Sequence, residues 1–165
     1  MIFALSPSAH DDATHRVEHE LEDGTRLVWE LLDQAPPQAQ IATEVDLGGG
    51  AWIARLDRVD FPPGGIAYRH VHPGPGIRRI VQGALTIDRG DGEPHVYRTG
   101  EAWYEGADDP VLATASASEE TAFVRVLLLP AEWAGRRTIR YVDPADEDRP
   151  RLQRATVLLE EPLRV

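Results

Sequence analysis

From Pro62-Pro63-Gly64-Gly65 as far as Pro130, glycine, proline and aspartate turn signals recur at intervals of roughly 8–12 residues. Helices of ordinary length do not fit that spacing, but strands of a sandwich or barrel do. The spacing predicts strands over Ile66 to His72, Ile77 to Gln82, Ala84 to Asp88, His95 to Arg98, Ala102 to Glu105, Val111 to Ala115 and Ala122 to Leu129. Just upstream, Trp52 to Phe61 alternates apolar and polar residues, as a half-buried strand does. Asp23-Gly24 supplies the positive φ values of a hairpin between Thr14 to Leu21 and Thr25 to Leu32, although Leu27 to Leu32 also has helical propensity. Beyond Pro130 two further strands, Thr138 to Asp143 and Arg154 to Leu159, flank a charged, solvated connection over Pro144 to Arg151. Nothing but loops interrupts residues 1–165, so one all-β domain, a sandwich or a barrel, is expected.

Composition removes much of the available chemistry. The chain has no cysteine and no lysine, so its 17 cationic side chains are all arginines. Disulfides, zinc fingers, iron–sulfur sites, thiol nucleophiles, Schiff-base lysines and phosphate-loop lysines are thereby excluded. Against the arginines stand 28 acidic residues, for a formal net charge of −11. That balance argues against nucleic acid and against anionic membranes as partners. Met1 to His10 is apolar for too few residues to serve as a signal sequence, and no later apolar run approaches the ~18–20 residues of a membrane span. A soluble, cytoplasmic protein is expected.

Tyr68-Arg69-His70-Val71-His72-Pro73-Gly74-Pro75-Gly76 concentrates the chemistry. In a strand, residues two apart share a face, so His70 and His72 project together with Tyr68 beside them. Two parallel imidazoles on a rigid strand are half of a metal site, or two pocket histidines without any metal. Counted in steps of two from Gly76, Arg78 shares that position's face and Arg79 the opposite one, so that Arg78 points inward if position 76 does and lies on the surface if the count is off by one. A buried guanidinium needs a carboxylate or an anionic ligand, and Glu105 is the evident partner. Arg125 alternates with aliphatics in the closing strand and carries the same two readings. Trp103 is placed as a pocket wall, and Trp29 and Trp52 as core.

Gly64, His70, His72 and Gly83, followed by Gly100-Glu101-Ala102-Trp103-Tyr104-Glu105 and the closing strand Phe123 to Pro130, resemble the two motifs of the cupin family over roughly Ala51 to Pro130. The H-x-H-P-G-P run and the aromatic-glutamate pair are similar to one subgroup of it. The resemblance implies a double-stranded β-helix, or jelly-roll barrel, with additional N- and C-terminal strands that extend its sheets or exchange across a homodimer. It also implies three histidines and a glutamate around iron, manganese, nickel or zinc. Here Gly76 stands in the place of that glutamate and Val111 in the place of the third histidine. Glu105 can complete a 2-His-1-carboxylate set with His70 and His72, and Asp108 and Asp109 are weaker substitutes.

The function expected on these grounds is that of a small-molecule enzyme of oxygenase, isomerase or lyase type. It would use a divalent metal on His70, His72 and Glu105, or a residual acid–base pocket in which Glu105, the catalytic candidate, or a histidine moves a proton while Arg78 holds an anion, and no organic cofactor. Tyr68, Arg78, Trp103 and Arg125 would contact a ligand, which can be anionic. A ligand-binding or sensing module without catalysis is the alternative. Two other patterns are set aside. His15-Arg16-Val17-Glu18-His19 matches an inverted zinc-protease motif but sits beside a hairpin, where that chemistry needs a helix. Pro73-Gly74-Pro75-Gly76 follows a strand without opening a helix, so it is no phosphate cradle.

Overall fold

The computed structural model describes residues 1–163. Three antiparallel sheets are stacked. One has the order β10 (Ala102–Glu105), β7 (Gly76–Gln82), β12 (Thr121–Pro130), β5 (Trp52–Phe61), β14 (Arg154–Pro162). The facing sheet runs β13 (Arg140–Tyr141), β6 (Ile66–Val71), β11 (Val111–Ala115), β8 (Ala84–Asp88), β9 (His95–Arg98). Together they form the jelly-roll. Their inner faces meet in one apolar cluster, with Val59, Phe61, Ile80, Trp103 and Phe123 from the first sheet and Ala67, Leu85, Ile87, Val111 and Ala113 from the second. The turn spacing set out above yields the strands from β6 to β12 with ends differing by a residue at most, while β13 is only two residues of the expected Thr138 to Asp143 and β14 runs three residues past the expected Leu159.

The N-terminal strands do not extend the barrel. β1 (Ile2–Ser6), β2 (His15–Glu20), β3 (Arg26–Leu32) and β4 (Ile41–Glu44) form a four-stranded sheet of their own, ordered β2-β3-β1-β4. Phe3, Leu5, Val17, Leu27, Trp29 and Leu31 pack against Ala54, Leu56, Ile77, Val124, Val126 and Leu128, on the outer face of the β10-β7-β12-β5-β14 sheet. Trp29 fixes the contact with an Nε1–H donated to the Ile77 carbonyl at 3.1 Å. That sheet is therefore buried on both sides, which explains why Phe123 to Leu129 reads as a nearly continuous apolar run interrupted by Arg125 alone. β1 and β4 are too short for their sequences to establish a period, and β3 resolves the helix-or-strand ambiguity of Leu27 to Leu32 in favour of strand.

The C-terminal segment does extend the barrel. β13 pairs with β6 and β14 pairs with β5 of the same chain. Between them a short 3-10 turn, Pro144–Asp148, is capped by Asp143, whose side chain accepts from the Ala145 N–H. Among the described residues, no helix is long and apolar enough to cross a membrane.

Candidate functional site

A cavity of about 520 Å³ lies between the two barrel sheets. Alternation along β5 turns Arg55, Asp57, Val59 and Phe61 toward it, and alternation along β12 turns Phe123 and Arg125. Arg78 comes from β7, and Trp103 and Glu105 from β10. The opposite sheet contributes mostly aliphatic wall and the two histidines. The cavity thus has an apolar body with its buried charge on the β5, β7, β10 and β12 side, and exposed arginines of the C-terminal segment at its edge.

β6 is bulged. Val111 pairs with His70 while Ala113 pairs with Ala67, so three steps on β6 oppose two on β11. The extra residue breaks strict alternation. As a consequence Ala67, His70 and His72 line the cavity and Tyr68 does not. The expectation that Tyr68 contacts a ligand beside the histidines is corrected by this bulge: its ring lies against the Arg149 guanidinium, 4.6 Å from the centroid. Tyr68 still serves the site through its backbone. Its carbonyl accepts from His70 Nδ1 at 2.7 Å, which fixes the tautomer and leaves Nε2 as the acceptor edge. Among the described residues that Nε2 has no hydrogen-bond partner. Burial holds the His70 pKa down, from 6.5 to about 4, only partly offset by the charge of Glu105.

His72 is differently employed. Its ring meets that of His70 edge-on, with centroids 5.1 Å apart. Arg125 Nη1 donates to His72 Nε2 at 3.1 Å, and His72 Nδ1 donates to Thr138 Oγ1 at 3.2 Å. Burial, then the neighbouring Arg125 guanidinium, push its pKa well below 6.5. Both imidazoles are therefore neutral at physiological pH.

Two ion pairs complete the polar wall. Arg125 and Asp57 are direct cross-strand partners, joined by hydrogen bonds of 2.7 and 3.1 Å. Arg78, almost wholly buried, places Nη2 2.6 Å from Glu105 Oε2, an ion pair rather than an aligned hydrogen bond, and donates from Nη1 to the Gly76 carbonyl at 2.8 Å. Burial lowers the Arg78 pKa to about 10, so the guanidinium stays charged at neutral pH. The second oxygen of Glu105 accepts from Trp103 Nε1 at 2.7 Å.

The donor set present does not fit a divalent ion. His72 Nε2 is taken by Arg125, and both oxygens of Glu105 are taken by Arg78 and Trp103. A Cβ at position 76 would lie 2.6 Å from Leu127 Cδ2 and 3.0 Å from Arg78 Nη1, so the place that the resemblance assigns to a glutamate is filled by a cation and an aliphatic side chain. Among the described residues, no three or more His, Asp or Glu side chains stand as a metal-holding group. His70, His72 and Glu105 do share the cavity, but as an imidazole with a free edge, an arginine-bound imidazole and an ion-paired carboxylate. Asp108 pairs with Arg140 and Asp109 accepts from the Gly106 N–H, so neither faces the histidines as a ligand.

Asp57 and Thr138 are site residues that the sequence reading passed over. The signal for Asp57 was its position in alternation with Val59 and Phe61. Thr138 reaches His72 only through the long return of the C-terminal segment, which no local pattern announces. The His15 to His19 match lies on strand β2, not on a helix.

Similar solved structures include the polyketide cyclase RemF from Streptomyces resistomycificus, at 19% identity and a TM-score of 0.46, covering 64% of this chain and 73% of that one. An oxalate oxidase in complex with the substrate analogue glycolate is 23% identical with a TM-score of 0.46, covering 59% of this chain and 52% of that one. The chain thus spans about half the length of that oxidase. A cupin-like protein from Thermotoga maritima is 16% identical with a TM-score of 0.46, covering 56% of this chain and 69% of that one. No curated protein matches. Residues 57–124, which carry both histidines, Arg78 and Glu105, match the family model described as Cupin domain.

Proposed function

We propose that the chain is a cupin whose barrel binds a small, largely apolar molecule and moves a proton on it with His70, without a metal ion. The observation that carries this reading is the His70 ring, anchored at Nδ1 on the Tyr68 carbonyl and open at Nε2 toward a cavity of about 520 Å³. A neutral imidazole held in one tautomer is a general base with a fixed direction. In the reaction that fits, Nε2 takes a proton from a carbon next to a carbonyl, and the C–H electron pair moves onto the carbonyl oxygen as an enolate. Arg78 and Arg125 on the facing wall, each paired with a carboxylate, offer their remaining N–H donors where that charge develops. The imidazolium exchanges this proton with solvent at the cavity mouth and delivers one back to carbon, so that in deuterium oxide the carbon gains deuterium. Developing negative charge raises the low pKa of His70 at the moment of transfer, which offsets its weakness as a base in the free protein.

The probe is 2-tetralone, an enolisable bicyclic ketone, incubated with the protein in deuterium oxide. Deuterium wash-in at the α-carbon above the buffer rate, lost in His70→Leu and retained in His19→Leu, is the expected result. Exchange at the buffer rate despite binding of the ketone overturns the catalytic part. It leaves the second reading, a binding module without catalysis, which is favoured by the commitment of Glu105 to Arg78 and Trp103.

A further inference from the structure

Proton transfer at His70 places no demand on the charge of the ligand, but the lining of the cavity does. Six arginines and three carboxylates line it, in a chain of formal net charge −11. Each carboxylate is committed to an arginine: Asp57 to Arg125, Glu105 to Arg78 and Glu160 to Arg55. The three remaining guanidiniums are those of Arg136, Arg137 and Arg151, and all three residues are exposed, at the mouth of the cavity. Arg137 and Arg151 share one exposed carboxylate, Glu147, at 3.2 and 2.6 Å. Among the described residues the Arg136 guanidinium has no carboxylate within ion-pair distance and no hydrogen bond.

This cluster is held in place from below. Arg55, 3% exposed, donates from Nη1 to the Arg136 carbonyl at 2.7 Å and from Nη2 to the Trp133 carbonyl at 2.8 Å, while Glu160 of β14 neutralises it at 2.5 Å. A buried arginine bound to two loop carbonyls fixes the segment that carries Arg136 and Arg137 over the cavity. Thr138, next along, is buried and pinned to His72 Nδ1. The segment is thus anchored on both sides of its two arginines, and their charge is presented to the opening with less conformational freedom than a surface loop gives.

We propose that the mouth is an oxyanion subsite and that the ligand is an amphiphilic anion. Its flat apolar body lies between Phe61, Phe123 and Trp103, and its carboxylate or other singly charged oxyanion meets Arg136, with Arg151 and Arg137 flanking. This rests on the reading of the cavity as a ligand site and adds the ligand's chemical class. Guanidinium forks hold oxyanions by paired N–H donors, and exposed charges act with a salt dependence that buried ones lack.

Binding of 2-naphthoate and of 2-naphthol, an anion and a neutral molecule of like shape, is measured by calorimetry on the full chain, the wild type against Arg136→Gln/Arg151→Gln. The anion is expected to bind about tenfold more tightly than the alcohol at low salt. The preference disappears in the variant and at high salt, while affinity for the alcohol stays unchanged and reports an intact fold. Equal affinities in the wild type, or a preference that survives the double substitution, overturn the subsite and leave the cavity reading standing. Failure of both probes to bind overturns the cavity reading and the subsite with it.

Discussion

Glu105 and Gly76 stand directly opposite one another in the antiparallel pairing of β10 with β7, and Arg78 binds both, the carboxylate of one and the carbonyl of the other. The missing side chain at 76 is what makes the room for that guanidinium. Glycine here is a packing requirement rather than a turn requirement.

Gly76→Ala is accordingly expected to destabilise the fold by ~1–3 kcal/mol, because the new methyl meets Leu127 Cδ2 and the Val126 carbonyl in a filled core. Urea denaturation checks this: the midpoint falls and the slope is unchanged.

Removing one partner of the buried pair is costlier than removing both. Arg78→Met leaves Glu105 charged and unpaired, and about 3–5 kcal/mol of stability is expected to be lost. Arg78→Met combined with Glu105→Leu recovers most of it. A double-mutant cycle by chemical denaturation measures the coupling, and additive losses would remove the pair as the organising contact of this wall.

Stability responds to acid with a defined sign. His70 binds a proton at about pH 4 in the folded chain and near 6.5 when unfolded, so the unfolded state takes up the proton first. Stability is complete above pH 6.5 and falls as the pH drops toward 4, by about 3 kcal/mol from this residue alone. His72 acts in the same direction. Denaturation series over this window, compared with His70→Gln, isolate the contribution, which the variant lacks.

The same low pKa sets the acid limb of catalysis. Deuterium wash-in to 2-tetralone is expected to hold level through pH 6.5 and to fall only as the pH nears 4, because the free base form of His70 persists to that point. A limb centred at 6.5 would assign the proton transfer to another group.

Occupied donors predict indifference to metal. Nickel, manganese, zinc or iron(II) added to the wild type leaves its melting temperature unchanged and stays substoichiometric after gel filtration. Arg78→Ala, which frees Glu105 Oε2 in the cavity that the open edge of His70 also lines, gains a metal-dependent rise in melting temperature.

The barrel was legible because turn residues act locally: each Gly or Pro cluster ends a strand wherever the chain goes next. Inward projection of Arg78 was also legible, counted by parity within β7 from Gly76, the position that the family resemblance turns inward. Parity failed at Tyr68, where the bulge in β6 is set by pairing with β11, more than 40 positions away in the chain. Asp57 was hidden for a related reason. Its charge reads as solvent-facing until Arg125, its cross-strand partner, is known to face it. The strands β1 and β4 and their separate sheet had no periodic signal at all, so the third layer emerges only from packing.

That third layer bears on any attempt to isolate the barrel. Residues 57–124 match the cupin domain, but Leu56, Ile77, Val124, Val126 and Leu128 lie beneath the N-terminal sheet. A fragment starting at Ala51 would turn this whole face to water and present a self-association surface. The first 50 residues are in this sense an internal solubility cover for the wall that carries Asp57, Arg78 and Arg125. Expression trials of the excised barrel would then report aggregation, whatever the state of its pocket.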